Sequence, residues 1–211
     1  MAADDATIMQ RVQAGDFDSF ELLVDRYRLA LLRVAHSKLG DAAWAEDVTQ
    51  ETFLAVFAAR QTYNPEFAFR TWLWTILLNL CRRQLKQHHR KPRQFPKSQL
   101  GREREDGGLP EPVEWETGLS RLLKVERRER LMLLLNELPE PQGDALRLRF
   151  FGELKFAEIA EAMHSSVSGA KRRVQNGLLA LAEKLRQEDE ADESRRMLTT
   201  EPDSKGNRNE L

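Results

Sequence analysis

The residues best suited to chemistry form a run of cations without acidic neighbours, at the end of the stretch FRTWLWTILLNLCRRQLKQHHRK. The members of this run are Arg82, Arg83, Lys86, Arg90 and Lys91. Guanidinium and ammonium groups bind phosphate oxygens through charge-assisted hydrogen bonds, so the run is suited to holding a polyanion. An ordinary solvated helix end explains the same charges when the stretch is taken alone.

A second group of polar and basic residues lies in the segment VSGAKRRVQNGLLALAEKLRQ. Helical spacing turns one side inward and leaves the other side outward, and the inward residues are Val167, Ala170, Val174, Leu178 and Leu181. The outward residues suited to phosphate or base contacts are Ser166, Ser168, Lys171, Arg172, Arg173, Gln175 and Asn176. A short apolar-periodic helix, LKFAEIAEAM, and the break HSS precede this segment, which is the pattern of a helix-turn-helix. A plain helical hairpin is the alternative, and the polar outward face makes it the less favoured one.

A third group is acidic and small. Asp47, Gln50 and Glu51 stand at i, i+3 and i+4 of a predicted helix, so they share one outward face. An acidic face suits a basic partner. Three such residues alone are more often part of an ordinary solvated surface.

Four N-terminal helices are predicted to position the first and third groups. Their capping and terminating residues are Asp4 or Asp5, Gly15, Asp16, Gly40 and Asp41. On the fourth helix, Phe69, Trp72, Leu73, Ile76 and Leu80 follow the spacing of one buried face. Pro65 interrupts the helical pattern, so residues 61–68 form a short loop beside the start of this helix.

Composition divides the chain into two small helical units. Residues 92–117 combine Pro and Gly with charges and few apolar residues, which predicts a flexible linker. The first domain therefore spans 1–91 and the second spans 118–187. Residues 188–211 are polar without a sustained period and predict a disordered tail.

Several function classes are disfavoured. No apolar run approaches the roughly 18 residues that cross a bilayer, and the N-terminus is acidic where a signal peptide is basic, so a cytoplasmic protein without membrane insertion is expected. Cys81 is the one cysteine, which excludes an internal disulfide. The four histidines lack metal-ligand spacing and no glycine-rich phosphate loop is present, so neither an enzyme nor a cofactor or metal site is predicted.

Three segments together resemble the extracytoplasmic function (ECF) sigma factors of bacteria. They are AEDVTQETF, FRTWLWTILLNLCRRQLK, and LPEPQGDALRLRFFGELKFAEIAEAM with the helix that follows. The resemblance covers residues 6–91 and 120–186. It implies an all-α fold of two small helical domains, a four-helix sigma domain 2 and a helix-turn-helix sigma domain 4, joined by the linker. It also implies an initiation subunit that directs RNA polymerase to promoters and melts the minus-ten region.

The resemblance also implies roles for residues and partners. Asp47, Gln50 and Glu51 match the motif that docks on the clamp helices of the largest polymerase subunits. Other residues match the surface that binds and melts the minus-ten element, including a pocket for a flipped non-template base. They are Tyr63, Asn64, Phe67, Trp74, Asn79, Arg82, Arg83 and Lys86. The residues from Ser166 to Asn176 identified above would read the minus-thirty-five element as duplex DNA. An anti-sigma factor is the other expected partner.

The sequence departs from the family pattern at a few positions. Leu78 stands where relatives often carry a basic residue, so packing rather than DNA contact is expected there. His164 and Ser165 replace a glycine and an aliphatic residue in the turn. Gly169 lies early in the recognition helix, where a glycine costs roughly 1 kcal/mol relative to alanine.

The competing interpretation is a helix-turn-helix regulator that binds DNA alone, with an N-terminal unit that senses a ligand or dimerises. It shares the C-terminal observations. It does not account for a second cationic helix backed by tryptophans. Tight, specific binding of a duplex promoter without core polymerase would favour it.

Overall fold

The computed structural model describes the backbone of residues 4–90 and 118–199, and the side chains of residues 4–88 and 126–191. The first part contains α1 Asp5–Gln13, α2 Ser19–Leu39, α3 Ala42–Ala58, a 3-10 turn at Arg60–Thr62, and α4 Phe69–Arg90. The second part contains α5 Gly118–Asn136, α6 Glu140–Phe150, α7 Phe156–Ala162 and α8 Val167–Thr199. Over these two ranges there is no strand, and the predicted all-α fold is confirmed. The predicted linker, 92–117, lies outside the described residues.

Short polar residues start the N-terminal helices. Asp4 and Asp41 each accept a hydrogen bond from the backbone amide three residues later, at 2.7 Å. Gly40 ends α2 in the left-handed conformation, with φ of 76°. α2 begins at Ser19 and not directly after Asp16, because the Asp16 carboxylate accepts hydrogen bonds from the amide and the hydroxyl of that serine.

The apolar first half of α4 forms the centre of the N-terminal domain. Phe69, Leu73 and Leu80 are buried as their spacing predicts, and Trp72 and Ile76 are half-buried. These side chains pack against α2 and α3. The predicted buried face of α4 is therefore correct.

α4 is also buried on a second side. Trp74, Leu77, Leu78 and Cys81 are all 0% exposed. A helix that is apolar around most of its circumference requires cover on more than one side. The second cover is the C-terminal domain, because α7 packs along α4 while α6 packs against α2.

The predicted helix-turn-helix is formed by α7 and α8. The turn between them passes through His164, whose φ of 48° is a conformation that glycine adopts more readily. Ala170 and Val174 face inward as predicted. Val167 and Leu178 do not, since they are 44% and 43% exposed.

A glycine explains why Leu178 turns outward. A Cβ on Gly177 would lie 2.9 Å from Cδ1 of Leu146, so α8 approaches α6 closely at this residue. The buried side of α8 therefore runs through Gly177. Leu178, the next residue, lies at the edge of the interface between α6 and α8.

α8 continues beyond the predicted end of the domain. The sequence predicts disorder from residue 188, whereas the helix runs to residue 199. Arg186 pairs with Glu190 one turn later, at 2.7 Å. Arg130 of α5 pairs with Glu188, also at 2.7 Å. Spaced ion pairs and an anchor to α5 stabilise this polar segment as a helix, where periodicity alone gives no signal.

Candidate nucleic-acid interface

The start of α8 presents polar and basic side chains to solvent. The exposed members are Ser166, Ser168, Lys171, Arg172, Gln175 and Asn176. The first turn is capped, because Ser166 Oγ accepts a hydrogen bond from the backbone amide of Gly169 at 3.0 Å. Arg173 differs from the others: it is half-buried, and its buried Nη1 has no hydrogen-bond partner within the described part of the chain. The predicted duplex-reading surface is thus exposed except at this arginine.

The loop before α4 buries one predicted aromatic contact and exposes another. Tyr63 is 5% exposed, and its hydroxyl donates to the carbonyl of Phe67 at 2.9 Å. Its ring lies 5.3 Å from that of Trp72, and burial raises the pKa of the hydroxyl. The side-chain oxygen of Asn64 accepts a hydrogen bond from the backbone amide of Glu66 at 3.0 Å. Phe67 is 64% exposed, so it is the ring on which a base can stack, while Tyr63 supports the loop.

Polar residues predicted to contact melted DNA lie along α4. Asn79 is exposed, and its side-chain oxygen accepts a hydrogen bond from Arg82 Nη1 at 3.4 Å. Arg82 also donates to Asp144 at 2.9 Å and to Glu140 at 3.3 Å, both from the C-terminal domain. Lys86 is exposed one turn further on. In this arrangement the guanidinium of Arg82 is occupied by carboxylates.

Trp74, predicted to contact melted DNA, is fully buried. Its ring Cη2 lies 3.2 Å from the position that a Cβ on Gly152 would take. The indole Nε1 has no hydrogen-bond partner among the described residues. Because the C-terminal domain covers this ring, Trp74 belongs to the packing between the domains and does not face a DNA-accessible surface here.

The acidic group on α3 is divided. Asp47 and Gln50 are exposed. Glu51 is partly covered, because its carboxylate binds Arg83 and accepts a hydrogen bond from Gln84 Nε2 at 3.3 Å. One predicted polymerase contact is therefore paired with one predicted DNA contact.

A buried ion cluster between the domains was not predicted from the sequence. Asp144 is 0% exposed and binds both Lys38 of α2 and Arg82 of α4. Arg147, 2% exposed, donates from Nη2 to the carbonyl of Ser37 at 3.1 Å. The sequence carries one signal for this cluster, because the charged residues Asp144 and Arg147 lie among apolar residues of α6. In the structure, residues 143–148 are all buried.

Burial and pairing shift the pKa values around this cluster. Burial opposes ionisation of Glu140, but Lys38 and Arg82 together outweigh it, and the pKa of the carboxyl is lowered. Burial lowers the pKa of the Arg147 guanidinium. Burial raises the pKa of Cys81 to about 12. The thiol is therefore protonated and unreactive near neutral pH.

The described residues contain neither a metal-binding cluster nor a membrane-spanning helix. Among the side chains of residues 4–88 and 126–191, His, Cys, Asp and Glu form no group of three or more that could hold a metal ion. The helices of the described backbone fall short of the length and apolarity needed to cross a membrane. The described residues of α3, α4 and α8 present exposed polar and charged side chains, which are suited to binding charged partners.

Comparison with known proteins identifies the family. Residues 23–91 match Sigma-70 region 2, and residues 128–181 match Sigma-70, region 4. The RNA polymerase sigma-H factor of Pseudomonas aeruginosa is 31% identical over 180 residues, covering 81% of this chain and 88% of that protein. The chain belongs to the ECF sigma factors. The ECF RNA polymerase sigma-E factor of Escherichia coli K12 is likewise 31% identical, over 173 residues, with 81% and 88% covered.

Solved structures agree on the fold. CnrH, solved in complex with the cytosolic domain of CnrY, gives a TM-score of 0.64 at 21% identity, covering 87% of this chain and 97% of that one. The sigma factor RpoE of Bartonella quintana, solved with the anti-sigma factor NepR, gives 0.55 at 23% identity, with 81% and 97% covered. The role rests on the family models and on the relative of 31% identity: this sigma factor directs RNA polymerase to promoters, and it is a transcription initiation factor.

Proposed function

We propose that the two domains of this ECF sigma factor divide promoter recognition between them. Residues 1–91 bind core polymerase and melt the minus-ten element, and residues 118–187 bind the minus-thirty-five element as duplex. The observation that carries the proposal is the exposed polar and basic row at the start of α8. Such side chains on the second helix of a helix-turn-helix provide the donors and acceptors that read the major groove.

Melting is assigned to the loop before α4 and to the polar side of α4. Flipping a base out of the stack costs a few kcal/mol, and stacking on an aromatic ring returns about 1–3 kcal/mol. Phe67 offers an exposed ring for this purpose. Asn79 is exposed and offers a side-chain amide for a contact with the edge of a base.

Polymerase binding is assigned to α3, where Asp47 and Gln50 are exposed. Their chemistry suits the basic clamp helices of the largest polymerase subunits. The relatives also suggest a regulator: an anti-sigma factor is bound to RpoE of Bartonella quintana, and we extend such a partner to this chain. A cytoplasmic location follows from the same function.

The test is run-off transcription with core polymerase on a set of genomic promoters, comparing wild type with Asp47→Arg. Charge reversal in a desolvated interface typically costs 2–5 kcal/mol, so we expect transcription to fall about tenfold or more. Asp25→Arg is the matched control, because it reverses an exposed acid on α2 instead. Glu51 is left intact since its reversal would also set free Arg83.

Two results would contradict the proposal. Equal transcription by Asp47→Arg and wild type would remove the docking role from this face of α3. Tight and specific binding of a duplex promoter by the wild type without polymerase, together with no run-off product in its presence, would contradict the division of roles as a whole.

A further inference from the structure

α1 is joined to the segment that leads into the loop before α4. Gln13, the last residue of α1, donates from Nε2 to the carbonyl oxygens of Arg60 and Tyr63, both at 2.9 Å. Gln61 Nε2 donates in return to the carbonyl of Gln13 at 3.1 Å. These hydrogen bonds fix the 3-10 turn, and the residue after it, against the end of α1.

The side chain of Gln13 is well matched to this position. A primary amide carries two N–H donors, so one glutamine can bind two carbonyl oxygens at once. It is half-buried, and hydrogen bonds shielded from water are stronger than exposed ones. α1 is itself held in the core, because Ile8, Met9 and Val12 are all 0% exposed. Gln13 therefore ties residues 60–63 to a helix whose own position is fixed by packing.

The start of the turn is held by aromatic side chains. The guanidinium carbon of Arg60 lies 5.1 Å from the ring centroid of Phe17 and 4.6 Å from that of Phe57. A cation over an aromatic face is attracted by the ring quadrupole. Arg60 Nη1 also donates to the carbonyl of Phe57 at 3.0 Å. The start of the turn is therefore fixed to the end of α3, and its other end is held by Gln13.

From Tyr63 the support continues to Phe67. The Tyr63 hydroxyl donates to the carbonyl of Phe67 at 2.9 Å. The Tyr63 ring centroid lies 5.8 Å from that of Phe69 and 5.3 Å from that of Trp72, so the ring cannot turn away. Hydrogen bonds thus run from Gln13 through Tyr63 to the backbone of Phe67, whose own ring is 64% exposed.

We propose that Gln13 is a positioning residue for promoter melting, which acts through Tyr63 to hold the ring of Phe67 where a flipped base stacks. The inference rests on the proposed function, which assigns base stacking to Phe67. A ring that is already in place binds the base without the entropic cost of ordering the loop at that moment. Without the amide of Gln13, the ring is still present but the loop has to be ordered on binding. Capture of the melted strand is then weakened, while duplex binding by α8 and polymerase docking by α3 are unchanged.

The experiment uses the full chain bound to core polymerase and compares three variants with wild type. Gln13→Met keeps the length and the helix propensity of the side chain and removes both N–H donors. Gln10→Met makes the same change at an exposed position of α1 and is the matched control. Phe67→Ala removes the stacking ring and gives the pattern expected when base capture is lost.

The probe is a promoter on which the wild-type holoenzyme gives run-off product, with each non-template base of the minus-ten element replaced in turn by an abasic site. Heparin-resistant complex is measured by gel shift. In wild type, replacement of the flipped base should lower this complex most, and Phe67→Ala should lose that effect. On the intact promoter we expect Gln13→Met to form roughly three- to tenfold less resistant complex than Gln10→Met, the range for losing one or two hydrogen bonds. The penalty of Gln13→Met for an abasic site should shrink by a similar factor at the flipped base alone.

A merely structural role for Gln13 would lower complex formation with every probe alike and leave the abasic pattern unchanged, and that result would overturn the inference. Equal complex formation by Gln13→Met and Gln10→Met would do the same. If Gln13→Met does not fold by circular dichroism, Gln61→Met removes the reciprocal hydrogen bond and should weaken the effect of the same base by a smaller factor, so an unchanged pattern would contradict the inference.

Phe67→Ala distinguishes this inference from the proposed function. A wild-type abasic pattern from Phe67→Ala would contradict the assignment of melting to this loop, and the inference with it. Loss of the pattern in Phe67→Ala but not in Gln13→Met would contradict the inference alone.

Discussion

Asp144→Asn probes the ion cluster between the domains. The change keeps the shape of the side chain and removes its charge. The carboxylate lies in a fully buried position, bound by Lys38 and Arg82 and 3.8 Å from Nη1 of Arg147. After substitution, the cations lose their buried counter-charge and retain only the half-exposed Glu140.

The expected magnitude follows from burial. Two unit charges 4 Å apart interact by about 4 kcal/mol at an effective dielectric constant near 20. Removing one partner of a buried pair typically costs about 3–5 kcal/mol. Arg82 is 31% exposed and can turn toward water, whereas Lys38 and Arg147 are 4% and 3% exposed and cannot. We therefore expect a loss of about 3–5 kcal/mol, unless separation of the domains hydrates Lys38 at lower cost.

The assay combines urea unfolding, followed by far-UV circular dichroism, with alkylation of Cys81 by a maleimide. Cys81 is fully buried beside the cluster, so its alkylation rate rises if the domains separate. Glu137→Gln is the control, since its exposed pair with Lys184 is worth at most about 1 kcal/mol. A variant within about 1 kcal/mol of wild type, with Cys81 alkylated at the wild-type rate, would refute the reasoning.

Three further predictions concern DNA binding and pH. Asn79→Ala should reduce permanganate-detected open complex more than closed-complex binding in gel shifts, whereas Gln87→Ala on an exposed position of the same helix should change neither; equal losses would argue against a base pocket. Lys171→Ala should make the slope of log K against log salt shallower by about 0.9 on duplex DNA, and an unchanged slope would place this lysine off the phosphates. Burial opposes ionisation of Glu140, but its interdomain cations lower its pKa from 4.5, so its contribution to domain docking is complete above pH 4.5 and is lost as pH falls through the lower folded value. Small-angle X-ray scattering should show a larger radius of gyration for wild type in that pH window, and Glu140→Gln should lack that increase.

Local chemistry was sufficient to predict most helix ends and the helix-turn-helix. A cap such as Asp41 depends on residues within one turn, and the sequence contains all of them. The left-handed Gly40 and the inward Ala170 and Val174 are likewise local features. Leu78, expected to pack, is buried.

Contacts between the domains could not be predicted in this way. Trp74 has the same spacing whether its cover is DNA or Gly152, a residue far along the chain. Asp144 gives no local sign that Lys38, on another helix, is its partner. Periodicity predicts Leu178 to be inward. It carries no information on how closely α8 approaches Leu146, and that approach decides which residue is buried. These three cases depend on a long-range partner that a window of neighbouring residues does not contain.

The ion pair between Glu51 and Arg83 links the two surfaces of the N-terminal domain. Under the proposed function, a polymerase cation that takes Glu51 leaves Arg83 free for a phosphate, and by thermodynamic reciprocity DNA held by Arg83 leaves Glu51 free for polymerase. The pair is largely exposed, and such pairs are worth at most about 1 kcal/mol, so the coupling is bounded at about fivefold. Polymerase and promoter then each strengthen the other's binding without any movement of the backbone.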